Sequence, residues 1–353
     1  MMLLSETCSN IGTQDFSWRK EAIEYIKTLV MPEWALGRLL DMAVDMVGIT
    51  RRLNIPVKRK VVGVFAGDHG ITKENVTSFP QSVTTAMIKS MISGGAAISV
   101  LSRTFGVDVR LVDMGVAEDI TELYAEGVIN CSEGKGTKNF RYEPAMTREQ
   151  AVRAVESGIR LALELGDSHD VFATGEMGIG NTTPSAAIGS ILTGVPVSKM
   201  VGPGAGLPSA SLAWKARMIQ EAIQFHKPNP TDGIDVLSKV GGFEIAGLTG
   251  WILGAASMRK IVVIDGFIST AAALIAQTLS PTVSHFMIFS HCSAEPGHIS
   301  MLDRIGVRSL LDLDLRLGEG TGAVLAMPLL DAMSALLEGM ATFSSIGIHA
   351  PPK

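Results

Sequence analysis

The chain reads as an α/β protein with a doubly wound, mainly parallel, Rossmann-like sheet, and three observations predict it. Short runs of branched aliphatic and aromatic residues recur through its middle, each run stops at a glycine or polar cluster, and helical stretches separate the runs. Residues 60–66 form the first run and lead into Gly67-Asp68-His69-Gly70. Residues 108–112 end at Asp113-Met114-Gly115, and residues 170–173 at the long cluster 174–183. Residues 260–264 lead into Asp265-Gly266-Phe267, and residues 285–289 into Ser290-His291-Cys292-Ser293-Ala294-Glu295. Glycine and aspartate are ordinary turn residues, but turns alone do not call for clusters this unusual after every strand. In a doubly wound sheet ligands bind at the carboxyl ends of the strands, where all of these clusters fall. The clearest helix opens at Thr147, which pairs with Gln150 as a capping box ahead of a 3.6-residue apolar period through Leu165.

The two ends of the chain follow a different pattern. Residues 18–30 and 36–53 carry helical periodicity and join at Met31-Pro32-Glu33, while residues 323–343 are helical with a kink expected at Pro328. The expected division is a small helical domain from residues 1–55 with 323–353 and a large α/β domain, 56–322, that carries the active site. A chain of 353 residues exceeds the size at which one core stops growing, which fits that division.

Composition excludes several function classes. Hydrophobic residues make up 46% of the chain, yet Gly, Ser, Asp or Pro interrupts the longest apolar runs before the ~18 residues that a spanning helix requires. The first residues include Glu6 and Asp15 and show no basic segment leading into an apolar core, so no secretory signal is expected and the compartment is cytoplasmic. Cys8, Cys131 and Cys292 lie far apart without a CxxC pair, which argues against a disulfide framework or a structural zinc. With a net charge of −5 and no Lys/Arg stripe, the chain has nothing to build a nucleic-acid groove. Neither a membrane nor a nucleic acid is an expected partner.

The chemistry concentrates in glycine-rich motifs. Leu315-Arg316-Leu317-Gly318-Glu319-Gly320-Thr321-Gly322 isolates one carboxylate between glycines just before an apolar helical run. Over an apolar floor such a carboxyl has a raised pKa and becomes a usable general base; the bland alternative is a glutamate complementing its own helix dipole. Residues 175–182 have the G-x-x-x-x-G-N-T spacing of a P-loop with Asn181 in place of lysine, which favours one phosphate at a helix N-terminus over a triphosphate. There Thr182 or Thr183 can cap the helix and donate to phosphate, and Glu176 can accept from sugar hydroxyls. Val201-Gly202-Pro203-Gly204-Ala205-Gly206 is a second cradle, with Lys215 close behind to add positive charge. The pairs Asp68-His69 and Ser290-His291, with His298, match no zinc signature and read as hydrogen-bonding struts. A carboxylate beside phosphate and sugar cradles equips a transferase acting at a sugar carbon.

In this order the motifs resemble the nicotinate-nucleotide:dimethylbenzimidazole phosphoribosyltransferase (CobT) family. The matching segments are Ala66-Gly67-Asp68-His69-Gly70-Ile71, residues 175–183, Val240-Gly241-Gly242-Phe243-Glu244-Ile245-Ala246-Gly247, Asp265-Gly266-Phe267, residues 290–295 and residues 315–322. The resemblance implies transfer of the phosphoribosyl group of nicotinate mononucleotide to a lower-ligand base for cobamide synthesis. Nicotinate is released and the β linkage inverted to α, by a dimer that uses neither cofactor nor metal. It implies Glu319 as general base, with Glu176, Met177 and Asp265 in the same site. Phosphate and ribose contacts then fall to Gly178, Gly180, Asn181, Thr182, Gly204, Lys215 and Ser293, and the aromatic acceptor's walls to Phe79, Pro80, Met87 and Leu317. One segment departs: the family's K-P-x-G-S-L-G-x-L-E is replaced by Met31-Pro32-Glu33-Trp34-Ala35-Leu36-Gly37-Arg38-Leu39-Leu40. That departure leaves open a variant accepting phenol or p-cresol in a heterodimer with a paralogous subunit, or a catalytically silent paralogue.

Overall fold

In the computed structural model, residues 2–348 are described. The central sheet has six strands: β1 (Lys60–Gly67), β2 (Val107–Gly115), β3 (Ile129–Asn130), β4 (Val171–Met177), β5 (Ile261–Ile264) and β6 (Met287–Phe289). They are ordered β3-β2-β1-β4-β5-β6, and every neighbouring pair is parallel. The order reverses between β1 and β4, so the crevice for a ligand lies beyond the ends of those two strands. All eight residues of β1 are buried, which is why it reads as an unbroken apolar run. A separate two-stranded parallel pair, β7 (His291–Cys292) with β8 (Leu311–Asp312), sits just past β6.

Helices alternate with these strands. At the amino end lie α1 (Met2–Asn10), α2 (Phe16–Thr28) and α3 (Arg38–Thr50); α4 (Ser82–Ile92) and α5 (Ala97–Phe105) follow β1, and α6 (Thr121–Tyr124) follows β2. Then come α7 (Arg148–Leu165), α8 (Thr182–Thr193), α9 (Val197–Met200), α10 (Ser209–His226), α11 (Gly233–Val240) and α12 (Phe243–Ser257). The series closes with α13 (Phe267–Leu279), α14 (His298–Ile305) and α15 (Thr321–Gly339). The capping box of α7 is formed: the Gln150 N–H donates to Thr147 Oγ1 at 3.1 Å, and the Thr147 N–H to Gln150 Oε1 at 3.0 Å. The helices α7 and α12 touch backbone to backbone, because a Cβ at Gly158 or Gly250 would collide with a carbonyl of the facing helix.

Several expected boundaries shift. The run 170–173 continues as strand through Met177, so Gly175 and Glu176 belong to β4 rather than to a loop. The run 285–289 is strand only from Met287, because Pro281–Phe286 turns as a 3-10 helix. Pro328 does not interrupt α15, which runs through it and stops at Gly339. The amino and carboxyl ends do pack together: the Val30 N–H donates to the Ala341 carbonyl at 3.0 Å, and the Phe343 N–H to that of Thr28 at 2.9 Å. By contrast α1 lies against α7 and α12. Ala22, Ile26 and Leu40 share one continuous apolar cluster with β1 and α12. Among the described residues two stretches are long and apolar enough to cross a membrane, Ser82–Phe105 and Thr321–Gly339, but a turn splits the first and the second packs on α3, α5 and β4.

Candidate active site

A cavity of about 420 Å³ opens at the carboxyl ends of β4 and β5, walled by the start of α13 and the segment that leads into α15. Glu319 reaches it from a run of three left-handed residues, with φ of +91° at Gly318, +63° at Glu319 and +89° at Gly320. Two flanking glycines adopt that conformation without a Cβ penalty, and a side chain at Gly318 would also strike Glu176 Oε1. The turn is held from outside: Asp265 accepts from the Gly320 N–H on Oδ2 at 3.2 Å and from the Ala323 N–H on Oδ1 at 2.9 Å. Because α15 has no side-chain cap of its own, Asp265, distant from it in sequence, serves as that cap. Asp265 therefore positions the turn besides lining the cavity. Burial raises its pKa, an effect opposed by His291 and by the backbone donors.

Glu319 itself is 4% exposed, so the unshielded carboxylate expected from its glycine neighbours is in fact covered by packing from elsewhere. Its Oε2 accepts from the Ile98 N–H at 3.2 Å, in the first turn of α5. Glu319 thus complements the dipole of a different helix, not its own. Burial raises its pKa, while the Ile98 N–H works the other way and keeps the anion accessible.

Glu176 lies beside it, at the end of β4, and is 6% exposed. Burial pushes its pKa to about 8, against the hydrogen bond that Asn181 Nδ2 donates to its Oε2; Asp265, Glu244 and Glu319 add to the rise. At neutral pH a carboxyl with that pKa is mostly protonated, so Glu176 can donate as well as accept. Asn181, in turn, is engaged with this carboxyl.

The phosphate cradles are rearranged relative to expectation. Gly175 is in the strand, so the loop proper is 178–181, and α8 opens onto the cavity at Thr182. Neither threonine caps that helix: Asn181 is the N-cap without a side-chain capping bond, Thr182 Oγ1 accepts from Lys215 Nζ at 2.8 Å, and the buried Thr183 hydroxyl has no partner. Lys215 is 1% exposed and stands behind Thr182 instead of on the wall; burial lowers its pKa to about 8, with Glu295 opposing. The Gly204 N–H donates to Glu295 Oε1 at 2.8 Å, and Glu295 itself faces the cavity.

Of the residues singled out from sequence, Met177, Gly178, Gly204 and Ser293 line the cavity together with the three carboxyls, Asn181 and Thr182. Phe79 and Leu317 form its mouth, with Met87 and Val83 one turn apart on α4 beneath them. Gly180 and Pro80 lie off the wall, and Pro80 is exposed. Sequence reasoning missed His291, Glu295, Phe267 and Arg316 as wall residues. Each sat inside a motif already marked, and the signal was there: Arg316 puts a cation at the mouth of a site that has to receive a phosphate. The histidines act as struts. His69 Nε2 meets Glu244 Oε1 at 2.9 Å with both groups buried; burial opposes a charge on His69, but the contact with Glu244 prevails and the pKa of His69 is raised. Asp68 accepts from Thr84 Oγ1 at 2.7 Å and from the Ala117 N–H at 2.9 Å, tying the end of β1 to α4 and to the segment after β2.

A desolvated carboxylate, a protonated carboxyl beside it, a helix N-terminus and cations to one side together suit proton removal from an acceptor next to a phosphorylated sugar. Comparison with known proteins agrees. A family model described as "Phosphoribosyltransferase" matches residues 11–348. Proteins named nicotinate-nucleotide–dimethylbenzimidazole phosphoribosyltransferase from Desulfotalea psychrophila and Syntrophotalea carbinolica are 47% and 48% identical; the first is covered over 100% of both chains and the second over 99% of both. The crystal structure of the protein of that name from Thermus thermophilus superposes with a TM-score of 0.89 at 36% identity, covering 95% of this chain and 99% of that one.

Proposed function

The chain belongs to the nicotinate-nucleotide–dimethylbenzimidazole phosphoribosyltransferase family, and we propose that its cavity transfers the phosphoribosyl group of nicotinate mononucleotide to 5,6-dimethylbenzimidazole. The observation that carries this reading is Glu319: a buried carboxylate of raised pKa, held on the cavity wall by the Ile98 N–H and by a turn that Asp265 anchors. The bond from the ribose C1′ to the pyridinium nitrogen breaks and its electron pair leaves with nicotinate. A ring nitrogen of the acceptor forms the new bond from the opposite face, and the acceptor's proton passes to Glu319. The pyridinium is already a cationic leaving group, so no acid is required for it, and the enzyme's work is to position the acceptor and take its proton. In this reading Thr182, Gly204, Ser293 and Arg316, which line the cavity, receive the phosphate and ribose, and Phe79, Met87 and Leu317 receive the flat acceptor.

The test is release of nicotinate, followed by chromatography, from nicotinate mononucleotide with and without dimethylbenzimidazole. Release that depends on the acceptor is expected from the wild type; a Glu319→Ala variant with normal turnover would overturn the role of Glu319. We also propose a dimer, supported by the exposed apolar Phe79 and Leu317 at the mouth, and checked by a solution mass measurement.

A further inference from the structure

His298 is 0% exposed and does not line the cavity, yet it is bonded on both ring nitrogens. Its Nδ1 accepts from the Ser293 backbone N–H at 2.7 Å, and its Nε2 meets Thr270 Oγ1 at 2.8 Å. An acceptor at Nδ1 requires the proton at Nε2, so the ring is the neutral Nε2–H tautomer donating to Thr270. Burial favours the same state, pushing the His298 pKa to about 3, and the neighbouring His291 adds to the shift. Phe267 meets the ring edge-on at 6.5 Å and fills the space beside it.

What that one imidazole holds is a turn. Ser293 Oγ accepts from the Glu295 N–H at 3.3 Å, the Glu295 carbonyl accepts from the His298 N–H at 3.0 Å, and Glu295 Oε1 accepts from the Gly204 N–H at 2.8 Å. A single run of bonds therefore links Thr270 through His298 to Ser293 and Glu295 and on to the Gly202–Gly204 loop. Ser293, Glu295 and Gly204 all face the cavity.

The geometry points to His298 as a positioning residue for the nucleotide half of the site: it sets the 293–295 turn, and through Glu295 the Gly204 loop, for the phosphate and ribose of the donor. This inference rests on the reading that the donor is nicotinate mononucleotide. The run of bonds from Thr270 to Gly204 includes none of Phe79, Met87 and Glu319, while the Ala294 N–H of the same turn donates to the Leu315 carbonyl at 3.0 Å.

The experiment compares H298N, H298Q and H298F by calorimetric binding of nicotinate mononucleotide without acceptor, and by steady-state kinetics with dimethylbenzimidazole. An asparagine oxygen falls where Nδ1 stands, whereas the glutamine oxygen falls near Nε2, so two side chains of similar polarity differ in which bond they keep. H298N is expected to bind the nucleotide within about threefold of wild type, while H298Q and H298F weaken Kd and raise KM for it about tenfold or more, the cost of orphaning one buried N–H. The maximal rate and the KM for dimethylbenzimidazole stay within about threefold throughout. If H298F does not fold, the Asn–Gln pair decides. Equal nucleotide binding in all variants, or an equal rise in both KM values, overturns the inference. Wild-type protein that binds the nucleotide but releases no nicotinate refutes the proposed reaction and leaves the binding comparison decisive; wild-type protein that does not bind it refutes both.

Discussion

At the floor of the cavity Asp265, Glu319 and Glu176 are 2%, 4% and 6% exposed and each accepts a hydrogen bond from a defined donor, whereas at its mouth Phe79 and Leu317 are 50% and 61% exposed. The floor is a costly arrangement. Burial raises the pKa of all three carboxyls, and they persist because backbone N–H groups and Asn181 satisfy them. The mouth carries no such constraint, since a half-exposed apolar side chain contributes contact area and little else. The carboxyls of the floor are thus built into the fold, while Phe79 and Leu317, proposed above as acceptor contacts, can change without disturbing it.

Substitutions at the floor give the largest effects. Glu319→Gln keeps the shape and the contact with Ile98 but cannot take a proton; the rate of nicotinate release should fall about 10²- to 10⁴-fold with the folded state intact by circular dichroism. A smaller loss would show that the acceptor's proton leaves by another route. Asp265→Ala strips the partners from Gly320 and Ala323 and should cost roughly 2–5 kcal/mol in a urea titration, with turnover falling because the Glu319 turn loosens. If stability were unchanged, the turn would be held by its own glycines and the description of Asp265 as a cap would be wrong.

The pH dependence sharpens the contrast further. Glu319 must be ionised to act, and its pKa lies above the ordinary value of 4.5, so kcat should rise with pH through that raised pKa and then level off. For stability the sign runs the opposite way at Glu176. Its folded pKa of about 8 exceeds the ordinary 4.5, so between those values the folded chain holds a proton that the unfolded chain has lost, and stability falls as pH rises across that window. Glu176→Gln should remove this slope: melting temperatures equal to wild type near pH 4 and higher than wild type near pH 8. Matching slopes in both proteins would mean that Glu176 ionises freely. At the mouth, Phe79→Ala should raise the KM for dimethylbenzimidazole about fivefold and shift stability by no more than about 0.5 kcal/mol. A larger loss of stability would place Phe79 in the floor's class.

Much of this architecture was legible in the residue order, because it depends on local pattern. The apolar runs that became β1, β2, β4 and β5 have the length and branching of buried strands, and the Thr147–Gln150 box marks its helix start through contacts three residues apart. The strands β3, β7 and β8 escaped notice because two residues carry no periodicity. Pro328 lies inside α15, which continues through it to Gly339, since packing on α3, α5 and β4 outweighs one missing hydrogen bond. Glu319 stood out through its glycine neighbours alone.

By itself, then, the residue order determined that a doubly wound sheet would form, that glycine-rich clusters would fall at the ends of its strands, and that Glu319 would stand between glycines just before a helix. The tertiary structure alone decided what each group there became. Ile98 lies 221 positions from the carboxylate it steadies, Gly320 and Ala323 lie 55 and 58 from the aspartate that caps them, and Lys215 lies 33 from the threonine it bonds. Desolvation and hydrogen-bond partnership set the protonation of a carboxyl or an amine, and both are properties of groups brought together by folding, which no local period or spacing encodes.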